Sequence, residues 1–285
     1  MINTGKFIEK SFFIAAIFSA ALTFIIFVFM IFLSLPLFKG GLFFNILGNP
    51  WKPEHGIFGV YPMLIGTVLI VLLSLCWAFP LSLGSSVLIS VIAPPRFSKL
   101  LKKIVQMMTG IPTVIYGFVG VFLLVPFIRE MFNAGSGMNI LTASLMLAMV
   151  ISPTMIIIFT DSFENIPQAY SDAIDALGGS AIQKLIYVIL PCSWKGILTG
   201  LILSLGRAMG DTLIALMIAG NAVAVPDSIF ESARTLTSHI ALVIAADFDS
   251  IEFRSIFTCG IVLYMFTTIL ILLVRFLGRM SLKNK

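Results

Sequence analysis

The chain has 285 residues, of which 59% are hydrophobic and only 11% are charged, and its mean hydropathy is +1.09. Soluble domains carry roughly 25% charged residues, so this composition excludes a soluble globular protein and predicts an integral membrane protein. The net charge of +5 does not indicate a nucleic-acid partner, because membrane proteins concentrate Lys and Arg in their cytoplasmic loops.

Six apolar stretches are long enough for the roughly 20 residues that a helix needs to cross a bilayer. They predict an all-α fold, an integral membrane bundle of six transmembrane helices that forms a single domain over residues 1–285. The first stretch is longer than the about 7–15 apolar residues of a signal-peptide core and lacks a small-x-small cleavage site, so we expect an uncleaved anchor. The predicted spans lie near residues 12–36, 63–92, 110–128, 139–160, 196–222 and 256–276.

The distribution of Lys and Arg predicts the orientation. With the N-terminus inside, the cytoplasmic segments hold twelve basic residues and the outer segments hold five, while Arg207 lies inside a span. Both termini are therefore predicted to be cytoplasmic, in a multi-pass protein of the cytoplasmic membrane. The inner group is Lys6, Lys10, Arg96, Lys99, Lys102, Lys103, Lys184, Lys195, Arg275, Arg279, Lys283 and Lys285. The outer group is Lys39, Lys52, Arg129, Arg234 and Arg254.

Three connecting segments have recognisable character. Residues 37–62 form an outer loop whose aromatic side chains suit the membrane interface, and residues 93–109 form a basic inner loop. Residues 223–255 form a second outer segment, in which 229–246 is mildly amphipathic and predicts a short helix on the membrane surface or dipping into the bundle. The interfacial aromatic residues of the first loop are Trp51, Phe58 and Tyr61.

Prolines and small residues mark the spans. Pro80 and Pro153 lie well inside apolar stretches, where proline removes a helical hydrogen bond and kinks the chain. The fifth predicted span repeats a small residue every fourth position, a pattern that lets two helix backbones approach closely. That series is Gly196, Gly200, Ser204, Ala208 and Thr212, with a second pair at Gly206 and Gly210.

The cysteines and histidines do not predict a metal site, a disulfide or a bound cofactor. Cys76, Cys192 and Cys259 are scattered and form no CxxC motif, and His55 and His239 are isolated. The chain also lacks the Gly-x-x-x-x-Gly-Lys-[Ser/Thr] loop that holds ATP phosphates. If ATP drives this protein, a partner chain must bind it.

Residues 161–195 form a polar island between two long apolar stretches. Pro167 suits the first turn of a helix, and Gly178 suits a left-handed position after that helix ends. Ser180 and Gln183 have the spacing of a capping box, which predicts a second short helix. Such a long connector is more often functional than passive, although an ordinary helical connector would also fit these residues.

Arg207 and Asp211 carry opposite charges inside the fifth predicted span. Charges at this depth are costly and are functional candidates by default. A spacing of four places both on one face of a continuous helix. They could form an ion pair that only neutralises two charges. Alternatively, Arg207 could offer its planar fork of N–H donors to a tetrahedral oxyanion, while the neighbouring carboxylate accepts a hydrogen bond from a protonated one. Phosphate near neutral pH has such a proton and sulfate does not.

The polar island resembles the cytoplasmic EAA loop of bacterial ABC importer permeases. That loop reads Glu-Ala-Ala, three residues, Gly, nine residues, Ile-x-Leu-Pro. The spacing is kept here, with Asp for Glu, Ile for the second Ala and Val for the later Ile. The resemblance implies a type I ABC importer permease architecture and a loop that docks into an ATPase. The matching residues are Asp172, Ala173, Ile174, Gly178, Val188, Leu190 and Pro191.

The segment Gly206-Arg207-Ala208-Met209-Gly210-Asp211-Thr212 is similar to the Gly-Arg-Ala-x-Gly-Glu-Thr segment of phosphate ABC transporter permeases. Asp211 is one methylene shorter than the family Glu. Outer-loop features at 51–62 and 234–242 resemble the PstC-type permease more than the PstA-type. The resemblance implies inorganic phosphate as substrate, with Arg207, Asp211 and Thr212 at the site. It also implies a PstA-like second permease, two ATP-binding subunits and an extracytoplasmic phosphate-binding protein.

Other functions stay open on the sequence alone. The nearest alternative is a permease for sulfate, molybdate, tungstate or phosphonate. A secondary transporter that couples protons through Asp211 is a second alternative, against which the polar island argues. An enzyme is not expected, because the spans contain no cluster of His, no nucleophile motif and no paired carboxylates.

Overall fold

The computed structural model describes residues 2–38, 47–133, 135–246 and 250–283, and the side chains of 8–34, 47–133, 135–246, 250 and 252–276. Lys39 and Lys285, which entered the charge count, lie outside the described residues. The helices are α1 Ile2–Phe38, α2 Tyr61–Ile92, α3 Pro95–Thr109, α4 Thr113–Phe132, α5 Ile140–Glu164, α6 Gln168–Ala176, α7 Ala181–Cys192, α8 Trp194–Gly210, α9 Leu213–Ile218, α10 Leu236–Val243 and α11 Ile251–Lys283. A two-stranded antiparallel hairpin pairs β1 Trp51–Lys52 with β2 Ile57–Phe58 around a 3-10 turn at Pro53–His55.

Among the described residues, five helices are long and apolar enough to cross a membrane singly. They correspond to the first, second, third, fourth and sixth predicted spans, with bounds that differ by a few residues. A sixth crossing arises if α7 and α8, which are bent by 66° at Ser193, count as one broken span. The all-α prediction is confirmed. The single-helix prediction for 196–222 is wrong, because α8 ends at Gly210 and a separate helix, α9, follows.

Helix α5 is the centre of the bundle. In the most apolar 18-residue segment of α5, 78% of the residues are buried, whereas none is buried in the corresponding segment of α1. Helices α2 and α8 pack on α5 through small residues. Ser82 and Ser86 of α2 donate hydrogen bonds to backbone carbonyls of α5, and a Cβ added at Gly200 of α8 would lie 2.6 Å from Phe159. The small residues of the series that lie on α8, which ends at Gly210, therefore pack against helices of this chain.

Helix α1 is an outlier that lies against α11, where the rings of Phe27 and Tyr264 are 4.8 Å apart. Most of the other apolar side chains that the structure describes in α1, within residues 8–34, are exposed. In a bilayer such a surface faces lipid tails or another membrane helix. Helix α1 is therefore peripheral to the elements that build the candidate site.

Several helices contain a π-helical turn just before a proline. Among the described residues, π-helical turns occur at Leu88–Ile92, Gly120–Leu124 and Leu185–Ile189. The residue that closes each turn, at 93, 125 or 190, directly precedes a proline. A proline ring collides with the carbonyl four residues earlier, and the wider π turn relieves that contact. Pro80 and Pro153, by contrast, lie inside α2 and α5 without ending either helix.

The connecting segments are more ordered than the sequence indicates. The predicted basic loop 93–109 is largely the helix α3, with Pro95 in its first turn. Within the predicted helix 229–246, the structure has α-helix at Leu236–Val243 alone, so this helix is shorter than predicted. Helix α11 begins at Ile251, within the predicted loop.

Candidate functional site

The fifth predicted span is interrupted at Asp211. Helix α8 ends at Gly210, and Asp211 has an extended backbone with φ −72° and ψ 125°. The Asp211 Oδ1 accepts a hydrogen bond of 2.9 Å from the backbone N–H of Ile214, so this side chain starts helix α9. The prediction that Arg207 and Asp211 share one helical face is therefore wrong. Glycines at 206 and 210 weaken the helix before the break.

Arg207 is not paired with Asp211. Its Nη1 donates a hydrogen bond of 2.8 Å to Thr154 Oγ1 on α5. The ion pairs among the described residues are Lys102–Glu164 and Lys184–Asp175. The mutual ion pair considered from the sequence is thus absent from the described part of the chain, and the hydrogen-bond partner of Arg207 is a neutral hydroxyl, while Asp211 interacts with Arg207 only electrostatically, without a direct contact.

The two charges have separate local support from helix ends. Arg207 lies in the last turn of α8, where the partial negative charge of the helix favours a cation. Asp211 lies at the start of α9, where free N–H groups favour a carboxylate. Thr212 follows directly, and its carbonyl accepts the Leu216 N–H at 2.9 Å. The three residues predicted for the site, Arg207, Asp211 and Thr212, therefore all lie at the break. Arg207 and Asp211 are each stabilised by a helix end, so neither requires an ion pair with the other.

Helix α10 closes over the break. Thr237 Oγ1 donates to the backbone carbonyl of Asp211 at 2.9 Å, and the Leu236 N–H donates to Thr67 Oγ1 on α2 at 2.9 Å. Leu236 is fully buried. Of the two placements predicted for this helix, the structure has the one that dips into the bundle. A cavity of ≈10 Å³ lies between α10, α2 and Asp211, with room for about one water.

A tight turn connects α9 to α10. Gly220 and Asn221 both have positive φ, +83° and +57°. A Cβ at Gly220 would lie 2.7 Å from the Met138 carbonyl oxygen, so only glycine fits there without a shift. Arg234 Nε donates to the Asn221 carbonyl at 3.0 Å, which fixes the start of α10 to the end of α9.

His239 is buried beside this turn. Its ring meets Trp51 edge-on at a centroid distance of 4.4 Å, and its Nδ1 lies 3.4 Å from Arg234 Nη1. Burial, and secondarily the charge of Arg234, lowers the pKa of His239 to about 4. The prediction that Trp51 belongs to an interfacial aromatic belt is wrong, because Trp51 is only 8% exposed. Neither its sequence position nor that of His239 indicates their contact.

The polar island forms the predicted helix–turn–helix. Gly178 has φ +74°, and the N–H groups of Gly178 and Gly179 return to the carbonyls of Asp175 and Ile174, which is a Schellman ending of α6. Both hydrogen bonds of the Ser180–Gln183 capping box are present. Pro167 lies one residue before the predicted first-turn position.

The two short helices are joined by an ion pair and expose apolar side chains. Lys184 Nζ lies 2.7 Å from Asp175 Oδ2. Asp172, Ala173 and Gly178 are exposed on α6 and the turn, while Leu190 is half-buried at the end of the π-helical turn and Pro191 is exposed. Leu177 is 86% exposed. Further exposed apolar residues are Tyr170, Ile182, Ile186 and Tyr187.

Comparison with known proteins decides the family. Residues 83–281 match the family described as "Binding-protein-dependent transport system inner membrane component". The chain belongs to this family. It is therefore a multi-pass inner membrane transport component rather than an enzyme.

Individual relatives extend the comparison. The chain is 32% identical over 231 residues to the "Probable ABC transporter permease protein YqgH" of Bacillus subtilis, covering 80% of this chain and 75% of that one. It is 28% identical over 251 residues to the "Phosphate transport system permease protein PstC" of Pasteurella multocida, covering 80% and 77%. It is also similar to the "Probable phosphate transport system permease protein PstC" of Methanocaldococcus jannaschii, at 28% identity over 249 residues, covering 75% and 78%.

Solved structures support the fold. A chain of a bacterial ABC transporter that imports the acidic polysaccharide alginate superposes with a TM-score of 0.64 at 14% identity, covering 96% of this chain and 97% of that chain. A chain of the MetNI methionine ABC transporter in an inward-facing form gives a TM-score of 0.59 at 16% identity, covering 82% and 98%. The present chain therefore has the type I ABC importer permease architecture that was predicted from its sequence.

Proposed function

We propose that the protein is a permease subunit of an ABC importer that carries inorganic phosphate across the inner membrane. Relatives named as phosphate transport permeases support the substrate class. The observation that carries the proposal is the state of Arg207, whose guanidinium bonds to the hydroxyl of Thr154 and not to a carboxylate. A permanently charged fork held by a neutral partner keeps its attraction for an anion.

The residues at the helix break would divide the recognition of phosphate between them. Arg207 supplies charge-assisted N–H donors to the phosphate oxygens. Asp211 uses one carboxylate oxygen to cap α9, and its other oxygen can accept a hydrogen bond from the P–OH group. Thr212 adds a hydroxyl at the same break. Since sulfate has no proton at neutral pH, it would meet Asp211 with repulsion only, and this difference favours phosphate.

The described conformation is closed around Asp211. The cavity beside it holds about one water, and Thr237 bonds to the Asp211 backbone. A tetrahedral oxyanion would therefore reach Asp211 only after α10 moves away from the break. We expect this movement to be part of the transport cycle, since alternating access needs the central site to open to each side in turn.

The polar island 161–195 would transmit ATP hydrolysis to this site. Asp172, Ala173, Gly178, Leu190 and Pro191 are the proposed coupling residues. The exposed apolar side chains of α6 and α7 would fill a groove on an ATPase. The full assembly would contain a PstA-like second permease, two ATP-binding subunits and an extracytoplasmic phosphate-binding protein.

Docking of the polar island onto an ATPase would determine the orientation of the protein in the membrane. Residues 1–285 would form one membrane domain with both termini and the island on the cytoplasmic side, where ATP is available. The excess of Lys and Arg on the island side supports this arrangement. The turn at 220–235 and helix α10 would then face the extracytoplasmic binding protein.

Uptake by the complete reconstituted transporter tests the function. Proteoliposomes that contain both permeases and the ATPase, supplied with the binding protein and internal ATP, should accumulate labelled phosphate. Excess sulfate or molybdate should not compete. Competition by sulfate equal to that by unlabelled phosphate would contradict the phosphate assignment. Accumulation driven by a proton gradient without ATP would support the secondary-transporter alternative instead.

A further inference from the structure

Helix α3 combines two unusual surfaces. Phe97, Leu100, Ile104 and Met107 follow one another at spacings of three and four, so they form one stripe along the helix. Their exposed fractions are 46%, 52%, 45% and 75%. Nothing in the described part of the chain covers this stripe, although a stripe of this kind is normally buried.

The opposite side of α3 is already occupied. Val105 is buried against Ile89 of α2 and Ile156 of α5, with Leu101 beside it. Lys102 extends from this side to Glu164 at the end of α5, at a distance of 2.5 Å. The helix is thus fixed to the bundle by one face, and the exposed apolar stripe is not a consequence of a detached helix.

A basic stripe borders the apolar one. Arg96, Lys99 and Lys103 are exposed, and their spacings of three and four align them along the helix. The ion pairs of the described residues do not include them. Helix α3 contains no acidic residue, so its free surface is uniformly cationic next to the apolar side chains.

We propose that α3 is a binding surface for anionic phospholipids at the membrane surface. Its apolar stripe would lie among the upper acyl chains, and its basic stripe would contact the phosphates of the headgroups. An amphipathic helix with an apolar face and Lys or Arg on the polar face lies in the interface plane in this way. The core of a protein interface is instead depleted of Lys, which argues against a partner subunit as the occupant.

The ends of the helix fit this placement. Ala93 and Pro94 separate α3 from the end of α2, and Gly110 to Pro112 separate it from α4. The helix is also not among those apolar enough to span the membrane. It can therefore run across the surface while α2 and α4 cross the bilayer, and it would hold both spans at the headgroup layer.

Quenching by brominated lipids tests whether α3 contacts lipid. Phe97→Trp places a fluorophore on the apolar stripe, and Tyr170→Trp on the exposed α6 is the matched control. Both are compared with the parental protein, which has Trp51, Trp77 and Trp194. In the assembled transporter in nanodiscs, acyl-brominated phosphatidylcholine should quench the fluorescence that Phe97→Trp adds and spare the fluorescence that Tyr170→Trp adds. If the fluorescence added by Phe97→Trp stays unquenched, and Leu100→Trp gives the same result, the proposal is overturned in favour of a partner subunit.

A second arm tests the preference for anionic headgroups. At equal mole fraction, brominated phosphatidylglycerol should quench the Phe97→Trp variant more strongly than brominated phosphatidylcholine. Replacing Arg96, Lys99 and Lys103 together by Gln should remove the excess, while exchanging Arg96→Lys, Lys99→Arg and Lys103→Arg should keep it. Each cation near an anionic surface contributes about a fivefold enrichment, from about 1 kcal/mol per residue. Equal quenching by both lipids, or an excess that survives the Gln changes, would overturn the anionic-lipid assignment.

Discussion

Arg207 donates its Nη1–H to the Oγ1 of Thr154 at 2.8 Å, across the contact between α8 and α5. The carboxylate four residues further along the chain instead caps the next helix. Charged groups inside a membrane bundle are costly and typically mark a substrate or ion pathway. The hydrogen bond between Arg207 and Thr154 therefore supports the proposal that Arg207 receives an anionic substrate.

Thr154→Val should impair phosphate uptake while leaving assembly intact. Valine has nearly the same shape but cannot accept the hydrogen bond, which is worth about 1.5–3 kcal/mol when one partner is charged. We expect uptake at low phosphate to fall about tenfold, which corresponds to about 1.4 kcal/mol, and Thr154→Ser to restore it. Initial uptake rates at matched membrane levels measure the effect.

Thr160→Val is the control for that change. Thr160 lies on the same helix and is buried, whereas Thr154 is half-buried, and the Thr160 Oγ1 has no hydrogen-bond partner among the described residues. Its replacement should leave uptake near the parental rate. Equal losses at both positions would mean that Thr154 acts through general packing of α5 rather than through Arg207.

Gly178→Leu should uncouple the permease from its ATPase. The backbone at 178 has φ +74°, and a Cβ would meet no atom within 4 Å, so the penalty comes from the backbone alone. A left-handed residue with a Cβ costs about 1–2 kcal/mol, enough to change the angle between α6 and α7. Co-purification of the ATPase and ATP-driven uptake should both fall. Gly178→Asn, which tolerates this conformation, should retain both. Normal recovery and uptake with Leu would exclude docking through this turn.

The local elements of the island were predictable because their signals are local. Gly178 needs only its own backbone conformation, and the capping box is complete within Ser180 to Gln183. The break at Asp211 was not predictable in this way. The apolar stretch continues through it, and one of the hydrogen bonds that fix it comes from Thr237, 26 residues away. A spacing of four on a presumed helix consequently gave the wrong partner for Arg207.

Long-range packing also decided the surroundings of the site. Tryptophan is a residue type typical of the membrane interface, but the ring of Trp51 packs against His239. No sequence periodicity relates two residues that are so far apart in the chain. Arg234 is a second example. From the sequence it is only one of the basic residues of the outer segments, but in the structure it donates a hydrogen bond to the Asn221 carbonyl and fixes the turn there. Functional candidates that depend on such contacts, including Thr154, had no signal in the sequence.

The proposed orientation predicts the accessibility of two exposed positions. In a variant in which Cys76, Cys192 and Cys259 are replaced, a cysteine at Asp227 should react with a membrane-impermeant reagent added outside intact cells. A cysteine at Lys103 on α3 should react only after the membrane is opened. The prediction follows from the excess of Lys and Arg in the segments assigned to the inside. The reverse labelling pattern would invert the six-crossing topology.

Acid should destabilise the region around His239. The folded pKa of about 4 is below the ordinary value of 6.5, so the unfolded chain binds more protons between these values. Stability from this histidine is complete above pH 6.5 and is lost as the pH falls toward 4, by up to about 3 kcal/mol. Thermal unfolding of the solubilised complex should show this slope, and His239→Asn should flatten it.

Arg234→Gln separates the two causes of that shift. Burial is the larger cause and the charge of Arg234 the smaller, so this change should narrow the pH range over which stability falls and lower the total loss, without abolishing either. A pH dependence that is unchanged in His239→Asn would show that another group titrates in this range.

The central claim is that Arg207 receives the substrate rather than neutralising Asp211. Phosphate uptake by Arg207→Gln, Asp211→Asn and the double variant, measured in complete complexes at equal membrane levels, tests it most directly. Because the two side chains have different partners, Thr154 and the Ile214 N–H, we predict that the double variant stays as inactive as Arg207→Gln while it inserts and assembles. A double variant that transports phosphate near the parental rate would contradict the claim, since only a mutual ion pair could be removed without loss.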